Sequence, residues 1–168
     1  MQIDIVGFPK PRAPEIIEPS IYTMSIPFGA EIPFVNHLGF ELVKFEDGQS
    51  ELVFAPRPEH LNSFAVAHGG ALMTLLDVTM ASAARSVDKE MGVVTIEMKT
   101  SFMRPSKPEQ GPLRAKGRLM HRSTTMAFTE GTVYDGEGQA CAHATGTFKY
   151  VKRLPPGLKK LNEQISTD

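Results

Sequence analysis

The sequence predicts an α+β domain in which an antiparallel sheet curls around one long helix. Three observations carry this: a short hairpin pattern over residues 38–55, a proline-free apolar segment over Gly70–Val87, and four strand-like segments after it. Alternation marks the strands, and a proline-free segment of this length is too long for a strand in a domain of this size.

The elements follow in chain order. Residues 1–33 hold six prolines (9, 11, 14, 19, 27 and 33) without sustained periodicity, and read as an arm that drapes over a surface or is partly mobile. The domain proper is expected over residues 34–151, with a Pro- and Lys-rich tail over 152–168. Leu38–Phe45 and Gln49–Ala55 read as strands joined at Asp47-Gly48, a dipeptide suited to the positive backbone angles of tight hairpins. A loop, Pro56–Ala67, leads to the helix. Apolar residues cover most of the circumference of Gly70–Val87, which marks a helix buried on nearly all sides.

Val93–Phe102 then alternates, with Val94, Ile96, Met98 and Phe102 on one face and Thr95, Glu97, Lys99 and Ser101 on the other. Leu113–Ser123 alternates likewise, placing Leu113, Ala115, Leu119 and His121 opposite Arg114, Lys116, Arg118 and Arg122. Thr125–Tyr134 and Gln139–Val151 complete the set around the turn Asp135-Gly136-Glu137-Gly138.

Composition excludes several function classes. The 168 residues are 41% hydrophobic, enough for one core of ordinary size. A formal net charge of -1 offers a polyanion no global attraction, so nucleic acid is not an expected partner. Cys141 is the only cysteine, which rules out an internal disulfide and points to the cytoplasm. The N-terminus lacks a secretory pattern and no segment has the apolar length of a membrane span. Histidines 37, 60, 68, 121 and 143 never share a helical turn with one another or with Cys141, so no metal site is expected. Neither a nucleophile elbow nor a phosphate-binding glycine loop is present.

Asp77 is the most informative residue. It lies mid-helix among Leu75, Leu76, Val78 and Met80, where a carboxylate is costly unless it is paired, hydrated or used. A structural role, capping a shorter helix or accepting a local hydrogen bond, is the alternative. His68-Gly69-Gly70 precedes the helix, so free backbone N–H groups and the positive end of the helix dipole suit a developing oxyanion. Two glycines in a tight entry turn would look the same. Asn62 could donate to the same carbonyl, or simply shape a turn.

In combination, Asn62-x5-His68-Gly69-Gly70-x6-Asp77, followed by Val94-Thr95-Ile96-Glu97-Met98-x3-Phe102-Met103-Arg104-Pro105, resembles the hotdog-fold acyl-CoA thioesterases of the phenylacetate-degradation type. The match runs from Val35 to Val151 and leaves the arm outside. The resemblance implies a sheet wrapped around the helix, homodimers assembling to a homotetramer, and active sites between subunits. It assigns the thioester carbonyl to Asn62 and the Gly69 N–H. Asp77 of the partner subunit would be base or nucleophile, Thr95 would help place the water, and His68 would orient the loop. An acyl-CoA is the implied substrate, and neither metal nor organic cofactor is called for. Gly70, Met73, Met80 and Phe64 are candidates to line the acyl pocket, and Arg104 and Lys107 to meet the phosphates of coenzyme A.

Two rivals differ in class. Hotdog hydratases and dehydratases resemble a pattern with proline-bearing loops around the histidine, whereas here Gly69-Gly70 follows His68 directly. A non-catalytic acyl-CoA-binding sensor would have little use for Asp77, Asn62 and Thr95 together.

Overall fold

A computed structural model of the protein describes residues 24–152. Its elements are α1 (Pro33–Leu38), β1 (Glu41–Glu46), β2 (Gln49–Phe54), α2 (Gly69–Ser86), β3 (Met91–Phe102), β4 (Leu113–Arg122), β5 (Met126–Tyr134) and β6 (Ala140–Lys152), with single 3-10 turns at Pro58–His60 and Pro108–Gln110. The strands form one six-stranded sheet in the order β1-β2-β4-β5-β6-β3, antiparallel throughout. The helix lies across its inner face.

The expected hairpin closes at Asp47-Gly48, both with positive φ, +48° and +75°, as a two-residue turn between right-twisted strands requires. Its first strand starts later than the sequence suggested, because Pro33–Leu38 forms a short helix. Pro33 opens that helix and Gly39, left-handed at φ 77°, closes it, a pairing of proline start and glycine stop that local reading could have found. Of the expected N-terminal arm, residues 1–23 lie outside the described residues, as do residues 153–168 of the tail. Ile26, Phe28 and Ile32 pack against the core, and Ile26 N–H donates to the Leu42 carbonyl, covering part of the β1 edge.

Leu72, Leu75, Leu76, Met80, Ala83 and Ala84 of α2 are buried against the sheet with Leu52, Phe54, Val133 and Phe148. The helix comes close because the facing strands carry glycine at Gly117, Gly131 and Gly146. A Cβ on Gly117 would sit 2.8 Å from Ser50 Oγ and 2.9 Å from the Thr79 carbonyl, and one on Gly131 would sit 3.1 Å from Met80 Cγ. Ser50 Oγ donates to the Thr79 carbonyl at 2.6 Å, pinning helix to sheet where they touch. One side of α2 stays open: Met73 is 40% exposed and Asp77 only half-buried.

Two β-bulges correct the expected alternation. In the pairing of β3 with β6, Thr95 opposes Phe148 and Glu97 opposes Thr147, so Ile96 is an extra residue and the parity flips there. Thr95 therefore faces α2, as do Met98, Thr100 and Phe102 beyond the bulge, while Val94 and Glu97 face outward. In β4, Met120 is the extra residue between Leu119 and His121. His121 consequently stacks on Phe128 outside the sheet, centroids 6.0 Å apart, and Arg122 lies over the Tyr150 ring instead. No α-helix among the described residues is long and apolar enough to cross a membrane.

Candidate active site

The loop from Arg57 to His68 folds back on itself before the helix begins. Asn62 organises its tip: the Oδ1 accepts from Phe64 N–H at 2.9 Å and Val66 N–H at 3.4 Å, an arrangement open to a short amide side chain. These bonds use only the oxygen, so the Nδ2 donors remain for another partner. Ala65 takes a positive φ of 56° to complete the turn, and the loop is held across its neck by His68 N–H donating to the His60 carbonyl at 2.8 Å.

His68 is the N-cap of α2. Its Nδ1 accepts from Gly70 N–H at 2.9 Å, and its carbonyl accepts from Ala71 N–H and Leu72 N–H. Of the amides that open the helix, only that of Gly69 is left without a partner among the described residues. It lies on a cavity of about 370 Å³ lined by Asn62, Ala67, Gly69, Leu72, Phe102 and Arg104, among others. The Phe102 ring packs so closely that a Cβ on Gly69 would meet it at 3.4 Å. A free helix-start N–H and an amide donor thus share one cavity, which is what a developing oxyanion needs.

Asp77 lies elsewhere. It is two turns further along α2 from Gly69, roughly 12 Å by the helical rise, and lines two other cavities of about 390 and 350 Å³, beside Ile32, Val35 and Val78. Thr95 Oγ1 donates to Asp77 Oδ1 at 2.7 Å. Burial raises the Asp77 pKa above its ordinary value of 3.8, and the bond from Thr95 offsets part of that rise. The carboxylate therefore has one oxygen fixed and a raised proton affinity, as a poised base requires.

The candidate residues accordingly fall into two separate groups in one chain. Asn62, Gly69 and Arg104 line the first cavity, with Arg104 Nη1 bonded to the Ala140 carbonyl at 3.0 Å. Asp77 and Thr95 form the second, and Met73 joins Asp77 on its larger cavity. Gly70 and His68 line a separate hollow of about 200 Å³ on the other side of the helix start. Met80 is fully buried against Gly131 and Gly146, Phe64 is 83% exposed at the loop tip, and Lys107 is exposed at the start of a 3-10 turn. These three line none of the cavities described. Sequence reading passed over His60, which is buried inside the same loop, and Ser106, whose buried Oγ has no hydrogen-bond partner among the described residues and whose residue lines the first cavity. Neither carries a local sequence signal, since both acquire their surroundings from other elements.

The sequence profile of the thioesterase superfamily matches residues 64–142, a span that includes Gly69, Asp77, Thr95 and Arg104 but not Asn62. A protein of Saccharolobus solfataricus named as an esterase is 31% identical over 67% of this chain and 74% of its own. The chain belongs to the thioesterase superfamily. The architecture is the hotdog fold that the resemblance implied. Within the superfamily, the phenylacetic acid degradation protein PaaI of Thermus thermophilus, solved as a single-residue mutant, superimposes with a TM-score of 0.64 at 26% identity, over 70% of this chain and 98% of that one. A Streptococcus mutans protein solved with acetyl-CoA bound gives 0.62 at 25% identity, over 70% and 92%. Thioester hydrolysis is the activity this superfamily membership carries.

Proposed function

We propose that the protein is an acyl-CoA thioesterase whose active site is completed by a second copy of the chain. The observation that carries the reading is the division of labour within one chain: Asn62 and the Gly69 N–H offer donors without a carboxylate, while Asp77 offers a carboxylate whose donor, Thr95, is spent on holding it. A second copy brings the two together. The acetyl-CoA in the Streptococcus mutans structure supports coenzyme A as the carrier.

The place for that copy is the free edge of β3, the last strand in the sheet order. No strand among the described residues pairs with that edge, and an edge of this length invites pairing with another chain; β3 also carries exposed apolar side chains, Ile96 at 54% and Phe102 at 51%. In the assembled site, Asn62 Nδ2 and Gly69 N–H polarise the thioester carbonyl. Asp77 of the second copy, held by its own Thr95, takes a proton from water as the oxygen attacks the carbonyl carbon. Collapse of the tetrahedral intermediate breaks the carbon–sulfur bond, and the proton passes from Asp77 to the departing thiolate. Direct attack by the carboxylate, through an anhydride, is the alternative course for the same residue. Arg104, at the rim of the first cavity, is the cation placed to meet a coenzyme A phosphate. A homodimer is the minimal active species, and a homotetramer its further assembly.

The test is thiol release from short, medium, long and aryl acyl-CoAs without added metal, alongside light scattering. Hydrolysis by a dimer or tetramer supports the reading. A folded oligomer inactive across the panel would instead be an acyl-CoA-binding sensor, and an active monomer would remove the shared site.

A further inference from the structure

His60 is buried at 6% exposure, yet the reaction as described makes no use of it. Its ring packs against Phe54, centroids 5.2 Å apart. Its Nδ1 accepts from Arg57 N–H at 3.0 Å, and its carbonyl accepts from His68 N–H at 2.8 Å. One residue therefore ties the start of the loop to its end, and the loop between carries Asn62 and delivers the chain to Gly69. Because Nδ1 accepts from a backbone N–H, it carries no proton; the neutral ring then holds its hydrogen on Nε2, so the Arg57 Nη2 3.3 Å from that nitrogen is a charged neighbour and not its hydrogen-bond donor.

Charged neighbours oppose any second proton. The Arg57 guanidinium stands 3.3 Å from Nε2, fixed by a bond to the His37 carbonyl of α1 at 2.7 Å and by Glu59 at 2.6 Å. His37 adds to the positive field, Glu59 opposes it, and β2 contributes only the apolar Phe54. From α2, His68 lines the same hollow. A proton on Nδ1 would face the Arg57 N–H donor directly and break the bond.

We propose that His60 is a positioning residue: its neutral imidazole holds the Arg57 end of the 57–68 loop while its own carbonyl holds the His68 end, setting Asn62 and the Gly69 N–H, and protonation of the ring breaks the Arg57 bond and releases the clamp. The activity arm of its test rests on the thioesterase reading, whereas the clamp does not. Burial, followed by the Arg57 charge, lowers the His60 pKa below its ordinary 6.5. A lowered histidine pKa means the unfolded loop binds the proton more tightly. The clamp is thus fully present above the ordinary imidazole value and is lost as pH falls through the folded one.

The experiment compares wild type, His60→Asn and His60→Phe. Asparagine places an oxygen near the Nδ1 position and does not titrate, so His60→Asn should keep near-wild-type kcat in mildly alkaline buffer. It should also lose part of the wild-type activity decline in mild acid. Asp77 contributes its own acid limb to both proteins, so the difference between the two profiles is the readout. Phenylalanine keeps the packing and removes the acceptor, and His60→Phe should lower kcat about tenfold or more, the scale for misplaced catalytic groups, with KM less affected. Amide hydrogen exchange reads the clamp without activity. Protection of Arg57, whose N–H the ring accepts, should fall in mild acid in wild type and stay level in His60→Asn. Superimposable acid limbs, a fully active His60→Phe, or wild-type protection that does not change with pH would overturn the proposal. Should the wild type hydrolyse no thioester, the thioesterase reading falls and the exchange data alone decide this one.

Discussion

Asp77→Asn separates chemistry from scaffolding at the residue the mechanism depends on most. The change keeps the side-chain volume, and an Asn Oδ1 can still accept from Thr95 Oγ1, which now donates to Asp77 Oδ1 at 2.7 Å. What disappears is the negative charge and the ability to take a proton. Turnover should fall on the order of a hundredfold or more, the usual scale for a positioned base, which corresponds to about 2.7 kcal/mol of transition-state stabilisation. Stability should move the other way. Burial raises the Asp77 pKa above 3.8, so the folded protein holds that proton more tightly than the unfolded chain. The stability associated with the protonated group is present below the ordinary value and is lost as pH rises through the raised one. At neutral pH the wild type therefore carries the cost of a half-buried carboxylate, and the neutral amide removes it. Asp77→Asn should melt at or above the wild-type temperature at neutral pH, with the gap closing in acid. The assays are thiol release and thermal denaturation across pH, with light scattering to confirm assembly. A variant that melts clearly lower and keeps most of its turnover would refute the reasoning and make Asp77 a structural acceptor.

Further outcomes follow from the same geometry. Refolding Asp77→Asn together with Asn62→Ala should restore some activity, because a mixed dimer carries one site with both residues intact; demonstrated heterodimers without recovery would place both in one subunit's site. Thr95→Val removes the one bond that lowers the Asp77 pKa, so the acid limb of kcat should move to higher pH, and an unmoved limb would mean that Asp77 does not set it. Gly117→Ala should cost about 1–3 kcal/mol by denaturant titration, the usual range for overpacking, because the added Cβ meets the Thr79 carbonyl at 2.9 Å. A neutral result there would mean that the helix can shift off the sheet.

Much of this protein was legible one residue at a time. The apolar stretch that became α2 announces a buried helix, and the alternating segments announce strands, because periods of 3.6 and 2 are written by local geometry. Asp77 stands out because a carboxylate among leucines is costly wherever the helix packs. Tertiary structure decided what these residues do for one another. The bulge at Ile96 exists only in the pairing of β3 with β6, and it turns Thr95 toward Asp77 while keeping Met98 on the same inner face. Strict alternation put Thr95 and Met98 on opposite faces, since an inserted residue leaves no mark on a strand read alone. Met80, a candidate pocket residue by sequence, went to the core because Gly131 and Gly146 leave room for it there. His60 gained its part from Phe54, Arg57 and His68, partners that only folding brings around one ring. The split between the Asn62–Gly69 cavity and the Asp77–Thr95 pair is likewise a matter of distance along a rigid helix. Sequence spacing supplies the residue count, and only the folded sheet shows that the two groups line different cavities.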